Sequence, residues 1–284
     1  MIPGVLVALM MTDATLDVSL FIKVCIGFAS LCLIASANYV INEWLDAEFD
    51  KFHPLKKNRT LVTTKLSAKY VYTEYVLLAV IGLAIAYTIS LPYLITSFSL
   101  LFMGFLYNVK PFRTKDKVYL DVVSESINNP IRFCLGWYIA TTILIPPSSI
   151  LLAYWMGGAF LMGTKRFAEY RLISDPELAG KYRASFKDYT EQKLLISILF
   201  YAILSSFFLG SFLVKHKIEL ILSFPFFAIY FAWYLNLAFK KDSNVQRPES
   251  LYKEKKFMLY TLFLAILIMV LLEVDIPTLQ YLLK

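Results

Sequence analysis

Eight long apolar runs dominate the chain, at residues 18–41, 70–91, 93–107, 119–145, 148–164, 194–214, 220–239 and 257–272. A helix needs about 20 apolar residues to cross a bilayer, and only helices and closed barrels satisfy their own backbone polar groups there. The runs predict an all-α, polytopic membrane bundle of eight to nine transmembrane helices. The ninth would come from residues 2–11, too short to span unaided. The chain is 58% hydrophobic and 17% charged, against roughly 45–50% and about 25% in soluble domains. A soluble enzyme, a disordered chain and a disulfide scaffold are thereby excluded. The runs leave only short loops, so residues 1–284 read as a single transmembrane domain.

The minor residues agree. Cys25, Cys32 and Cys134 lie inside apolar runs without metal-type spacing, and an odd count argues against a disulfide framework. His53 and His216 fall in different loops, which argues against zinc. The opening MIPGVLVALMM has no basic segment or small-residue cleavage site, so no removed signal peptide is expected.

Lysine and arginine give the sidedness. Residues 46–69, 108–120, 165–193 and 239–256 hold 23 of them, whereas the alternate loops and the C-terminus hold three, Lys215, Lys217 and Lys284. Cytoplasmic loops are the ones enriched in these residues, so the basic loops are expected to face the cytoplasm. The net charge of +7 is then a sidedness signal. It does not point to nucleic acid, although anionic lipid headgroups would also be attracted.

Sidedness leaves the carboxylates unexplained. Asn42, Asp46 and Asp50 are spaced i, i+4, i+8 and stack on one face if the 18–41 helix continues. Like charges at i, i+4 destabilise a helix, and its C-terminal end disfavours anions further. A divalent cation would neutralise them; hard oxygen ligands suit magnesium shared with a phosphate. The alternative is a solvated acidic helix end. Lys51, His53, Pro54, Lys56, Lys57 and Arg59 follow, and cations beside magnesium-bearing carboxylates make a diphosphate clamp.

Two further polar groups stand out. Asp121, Glu125, Asn128 and Arg132 would share one face of a single 119–145 helix, as a cavity-lining stripe or a structural Arg132–Glu125 pair. Lys165, Arg166, Glu169 and Asp175 close the next basic end. Lys165–Glu169 at i, i+4 reads as either a surface pair or part of a second site. The stretch 181–190 suits an interfacial cap or a surface helix.

The Asn42-x3-Asp46-x3-Asp50 pattern, followed by Lys57-Asn58-Arg59, resembles the first acidic motif of the UbiA superfamily of intramembrane prenyltransferases. The helix count, sidedness and second charged cluster extend the resemblance over nearly the whole chain. It implies a bundle around a central cavity, capped on the cytoplasmic side. It also implies a magnesium-dependent enzyme that ionises an isoprenoid diphosphate and passes the prenyl group to an acceptor, whose identity the motif does not specify. In that reading Asp46 and Asp50 hold Mg2+ with Asn42 as helper, and Asp121, Glu169 and Asp175 are candidates for the other side of the clamp. Lys56, Arg59, Arg132, Lys165 and Arg166 neutralise the diphosphate. The second motif departs from Asp-x3-Asp. Its Lys165-Arg166-x2-Glu169 pattern, with His53-Pro54-x-Lys56, is similar to the branch that transfers phosphoribose onto polyprenyl phosphate. The same features also suit a terpene cyclase of that superfamily and, outside it, a transporter or lipid-binding protein.

Overall fold

The computed structural model describes residues 1–12, 14–64, 66–240 and 243–280. Lys65, Lys241 and Lys284, three of the cations counted above, lie outside the described residues. No strand occurs among the described residues, and the all-α expectation holds. Among the described residues six segments are long and apolar enough to cross a membrane: Val18–Asp50, Ala68–Ile89, Leu91–Asn108, Glu191–His216, Ile218–Ala238 and Lys255–Glu273. The six fall short of eight for a readable reason. The 119–145 run is broken in two, and the helix after it, Ser148–Ile173, carries Lys165, Arg166, Glu169 and Arg171 in its second half.

The residues form two compact units. The first contains α1 (Ile2–Met11), α2 (Val18–Asp50), α3 (Thr60–Thr63), α4 (Ala68–Ile89), α5 (Leu91–Asn108), α6 (Leu120–Ser126) and α7 (Asn128–Ala140). The second contains α8 (Ser148–Ile173). The chain returns to the first unit for residues 175–189, with α9 (Pro176–Tyr182) and a 3-10 turn at Ala184–Lys187. It then completes the second unit with α10 (Glu191–His216), α11 (Phe224–Ala238), α12 (Lys255–Glu273) and α13 (Pro277–Gln280).

In the first unit α2 packs on α4, α5 and α7 around Leu31, Ile34, Ala86, Tyr93, Leu100 and Ile139. Lipid offers little hydrophobic drive between helices, so small residues and interhelical hydrogen bonds hold such bundles. Here Ser30 Oγ donates to the Gly82 carbonyl at 2.7 Å, Tyr93 OH to Gly27 at 2.7 Å and Asn38 Nδ2 to Leu100 at 2.9 Å. The short α1 lies against α7 with backbones nearly touching: a Cβ on Gly136 would fall on the Met1 carbonyl oxygen, and one on Gly4 on that of Phe133.

α6 ends at Ser126 and α7 starts at Asn128, so the expected single stripe does not form. Asp121 and Glu125 sit on one helix, Asn128 and Arg132 on the next. Pro130 has no N–H for the Ser126 carbonyl and is tolerated only in a first turn, where α7 places it.

In the second unit α8 and α10 form the main pair, with Ser205 Oγ donating to the Ala153 carbonyl at 3.1 Å. Phe226 on Phe263, and Trp233 on Phe257 and Tyr260, join α11 to α12. All three cysteines are free.

The Gly136 contact predicts an asymmetry. Gly136→Ala forces α1 off α7 and costs about 1–3 kcal/mol of stability. Gly210→Ala, whose new methyl would meet only Phe224 at 3.9 Å, leaves it nearly unchanged. Thermal unfolding of both variants in detergent checks this: equal midpoints would contradict the close approach.

Candidate active site

α2 runs unbroken to Asp50, so Asn42, Asp46 and Asp50 do share a face. What holds two carboxylates at a helix C-terminus is a set of cations from two loops. Arg59, in the turn after α2, donates Nη1 to Asp50 Oδ2 at 2.9 Å and lies 3.7 Å from Glu43. Burial works against its charge, but Asp50 and Glu43 outweigh it and hold the guanidinium above its usual range.

The second loop follows α5. Arg113 Nη2 donates to Asp46 Oδ1 at 3.1 Å, Nε to Asp116 at 2.9 Å and Nη1 to the Asn108 carbonyl at 3.0 Å. Its guanidinium carbon lies 4.8 Å from the centre of the Phe49 ring. The residue sits at φ +28°, a conformation costing on the order of 1–3 kcal/mol that persists only when its surroundings over-determine it. Those four contacts do so. Lys115 pairs with the same Asp46 oxygen and donates to Asn108 Oδ1 at 2.7 Å. It is only 3% exposed, and burial pushes its ammonium down to about 8, with Asp46 resisting.

Asn108 organises this corner. Its Oδ1 accepts from Lys115 and from Asn42 Nδ2, while its own Nδ2 returns to the Gly104 carbonyl at 2.9 Å. A Cβ at Gly104 would fall on the Asn38 side chain, so that turn of α5 requires glycine.

Residues 175–189 contribute the far wall. Lys56 donates to Tyr182 OH, and the His53 ring meets Tyr182 edge-on at 4.6 Å. His53 Nδ1 accepts the N–H groups of Leu55 and Lys56, shaping the loop at Pro54. A cleft results, lined by Asp46, Asp50, Arg113, Lys115, Tyr182 and Arg183 among others.

Other expected residues lie elsewhere. Asp121 is fully buried and accepts from Ser185 Oγ at 3.1 Å and Tyr189 OH at 2.8 Å, with Arg183 at 3.5 Å. It anchors the returning segment. Asp175 is exposed and caps α9, accepting from the N–H of Glu177 at 2.9 Å. Arg132 lies on α7 within the electrostatic reach of Glu125 and the Met1 amine. In the second unit Glu169 is buried on α8 and pairs with Arg166 Nη1 at 2.8 Å, at i, i+3. Sequence reasoning missed Asn108, Arg113 and Lys115, whose signal, the Arg113-x-Lys115-Asp116 run, sidedness already explained; Tyr182 and Arg183 it reached only as part of the stretch 181–190, read as a cap or a surface helix.

The chain matches the UbiA prenyltransferase family over residues 1–267 and belongs to that family. With six helices of spanning length, it is an integral, multi-pass membrane protein. It is 31% identical over 173 residues to the decaprenyl-phosphate phosphoribosyltransferase of Mycolicibacterium smegmatis, a match covering 61% of this chain and 52% of that protein. The enzyme of the same name from Mycobacterium tuberculosis is 29% identical over 172 residues, 61% and 55% respectively. The chain thus spans about half the length of the curated relatives it matches. In fold it is similar to a UbiA homologue from Archaeoglobus fulgidus bound to DMAPP and Mg2+, with TM-score 0.69 and 18% identity over 96% of this chain and 94% of that one. The GPP- and Mg2+-bound form gives TM-score 0.68 and 17% identity over 92% and 90%.

The donor set fits magnesium. Asp46 Oδ2, Asp50 Oδ1 and Asn42 Oδ1 accept no hydrogen bond from the described residues. Among those residues no group of three or more His, Cys, Asp or Glu forms a metal cage, but magnesium needs only one or two carboxylates plus substrate phosphates.

Asp121 generates a test of its anchoring role. Asp121→Ala strands the buried hydroxyls of Ser185 and Tyr189, at about 1–3 kcal/mol for each unsatisfied group. Amide hydrogen exchange across 183–189 should accelerate at least roughly tenfold, with α4 unchanged. Unaltered exchange at 183–189 would remove the anchor.

Proposed function

We propose that this protein is a magnesium-dependent intramembrane transferase that moves phosphoribose from phosphoribosyl diphosphate to a polyprenyl phosphate. The observation that carries the reading is the make-up of the cleft: Arg113, Lys115 and Arg183 interleave with Asp46, Asp50 and Asp116, with Arg59 and Lys56 beside them. Such a wall suits a donor carrying both a sugar phosphate and a diphosphate. The names of the curated relatives support the same order of donors, which reverses the sequence-based preference for prenyl transfer. Prenyl transfer from an isoprenoid diphosphate is the second reading. Phe49 and Tyr182 at the cleft favour it, since aromatic faces stabilise a developing cation.

In the first reading a phosphate oxygen of the lipid attacks C1 of the ribose. The O–C1 bond forms as the bond from C1 to the diphosphate breaks, and the diphosphate leaves with the electron pair. Asp46 and Asp50, with Asn42 as helper, would hold magnesium, which supplies charge neutralisation and orientation of the leaving group. Arg59, Arg113 and Lys115 hold those carboxylates in place. Lys56 and Arg183 are placed to receive anionic oxygens, and stabilising charge where it develops is the main lever in such chemistry. The reading rests on first-unit residues; Arg132, Lys165, Arg166, Glu169 and Asp175 receive no step in it. A single domain over 1–284, crossing eight to nine times around a central cavity with its basic loops and cap towards the cytoplasm, completes the proposal.

Purified protein with magnesium should move label from phosphoribosyl diphosphate to polyprenyl phosphate, with the product identified by mass. Asp50→Ala should lower turnover by roughly a hundredfold or more. Label transferred from a polyprenyl diphosphate to an aromatic acceptor instead would establish the second reading. Near-full activity in Asp50→Ala would sink the site.

A further inference from the structure

One helix end presents two faces. Asn42, Asp46 and Asp50 form the acidic stripe; one residue earlier in each turn, Ile41, Leu45 and Phe49 form an apolar one. Successive residues are about 100° apart around a helix, so the two stripes lie side by side and look into different spaces. Asp46 and Asp50 of the acidic stripe line the cleft. The apolar stripe lines an adjoining cavity of about 480 Å³ between α2, α4 and α5, walled further by Tyr72, Tyr75 and Phe105, with Phe49 and Arg113 shared between cavity and cleft. Nothing in the proposed transfer of phosphoribose uses it as such.

Three observations identify its occupant. The first is charge. Lys110 and Arg113 stand at the cavity with one anion, Glu48. Arg113 carries five N–H donors, of which its three contacts to Asp46, Asp116 and Asn108 use three. Two donors remain in a residue that is 6% exposed. The second is access: Tyr72 is 49% and Phe105 37% exposed, so the cavity opens on the flank where lipid would lie. The third is depth. α2 has 33 residues and is about 50 Å long, whereas the hydrocarbon layer is about 30 Å thick. Its last turns therefore stand at headgroup level, where a lipid phosphate resides.

We infer that this α2–α4–α5 cavity binds the acceptor lipid, a polyprenyl phosphate. Its first isoprene units lie along Ile41, Leu45, Tyr72 and Phe105, and its phosphate is taken by Lys110 and the spare donors of Arg113. A single narrow chain with a terminal phosphomonoester matches a slot of this size and polarity. Arg113 lies over Phe49 and reaches Asp46, so it stands at the boundary between cavity and cleft. It positions the acceptor phosphate beside the donor. The inference rests on the proposed function for the identity of the acceptor.

The test uses the full chain in nanodiscs, without donor. A polyprenyl phosphate with a diazirine near its phosphate end is photolysed, and the labelled peptides are mapped. Label within 41–49, 72–75 and 105–110 is expected, displaced by unlabelled polyprenyl phosphate but not by phosphatidylglycerol or polyprenol. Label elsewhere overturns the inference, as does equal displacement by phosphatidylglycerol, which would make the cavity a general anionic-lipid site. Leu45→Trp, which fills the slot, should raise the KM for polyprenyl phosphate roughly tenfold while leaving the KM for the sugar donor unchanged. Label in the cavity with no phosphoribosyl transfer would remove the proposed function and leave the lipid site standing. Transfer with label elsewhere would do the reverse.

Discussion

Two carboxylates at the wrong end of a long helix are the constraint around which the first unit is organised. Asp46 and Asp50 repel each other at i, i+4 and face the negative end of the α2 dipole. Neither penalty is relieved by α2 itself. Relief arrives from outside, Arg59 on Asp50 and Arg113 with Lys115 on Asp46. Each carboxylate is left with one oxygen still available. The cations offset part of the repulsion and leave Asp46 Oδ2 and Asp50 Oδ1 without a hydrogen bond from the described residues.

Asn108 turns this local balance into a rigid corner. It closes α5, receives Lys115 and Asn42 on its side-chain oxygen, and takes Arg113 on its carbonyl. A buried polar network of this kind is costly if any member is missing. That explains the strained backbone of Arg113 and the close approach at Gly104, both features that serve the placement of side chains rather than the helix. Lower in the bundle the Tyr93 and Asn38 bonds fix α2 against α5 and the Ser30 bond fixes α2 against α4, so the corner has a firm base.

Much of this was legible in the sequence, for physical reasons that also mark where reading stopped. Helical periodicity is local, so the shared face of Asn42, Asp46 and Asp50 and the nearby Arg59 could be read from spacing. Arg113 and Lys115 meet Asp46 from 67 and 69 residues away. No local pattern encodes that contact, and the positive-inside rule had already accounted for their charge. The stripe from Asp121 to Arg132 is interrupted at Ile127, because Pro130 has no N–H for the Ser126 carbonyl and the run divides into α6 and α7. Asp121, buried and acidic beside a membrane, resembles a catalytic group; its hydroxyl partners Ser185 and Tyr189 are over sixty residues away and invisible until folded.

The order in which the chain visits its two units has a consequence for biosynthesis. Residues 1–146 contain Asp46, Asp50 and the cations on them, yet Tyr182 and Arg183, which wall the cleft, belong to a segment made only after α8 of the second unit. A nascent chain released or stalled before α8 would carry Asp46 and Asp50 and still lack a closed cleft. The buried Asp121 waits through that interval without its hydroxyl partners, which makes the stretch between α6 and the returning segment the step at which a membrane insertion or quality-control factor would find an unfinished protein.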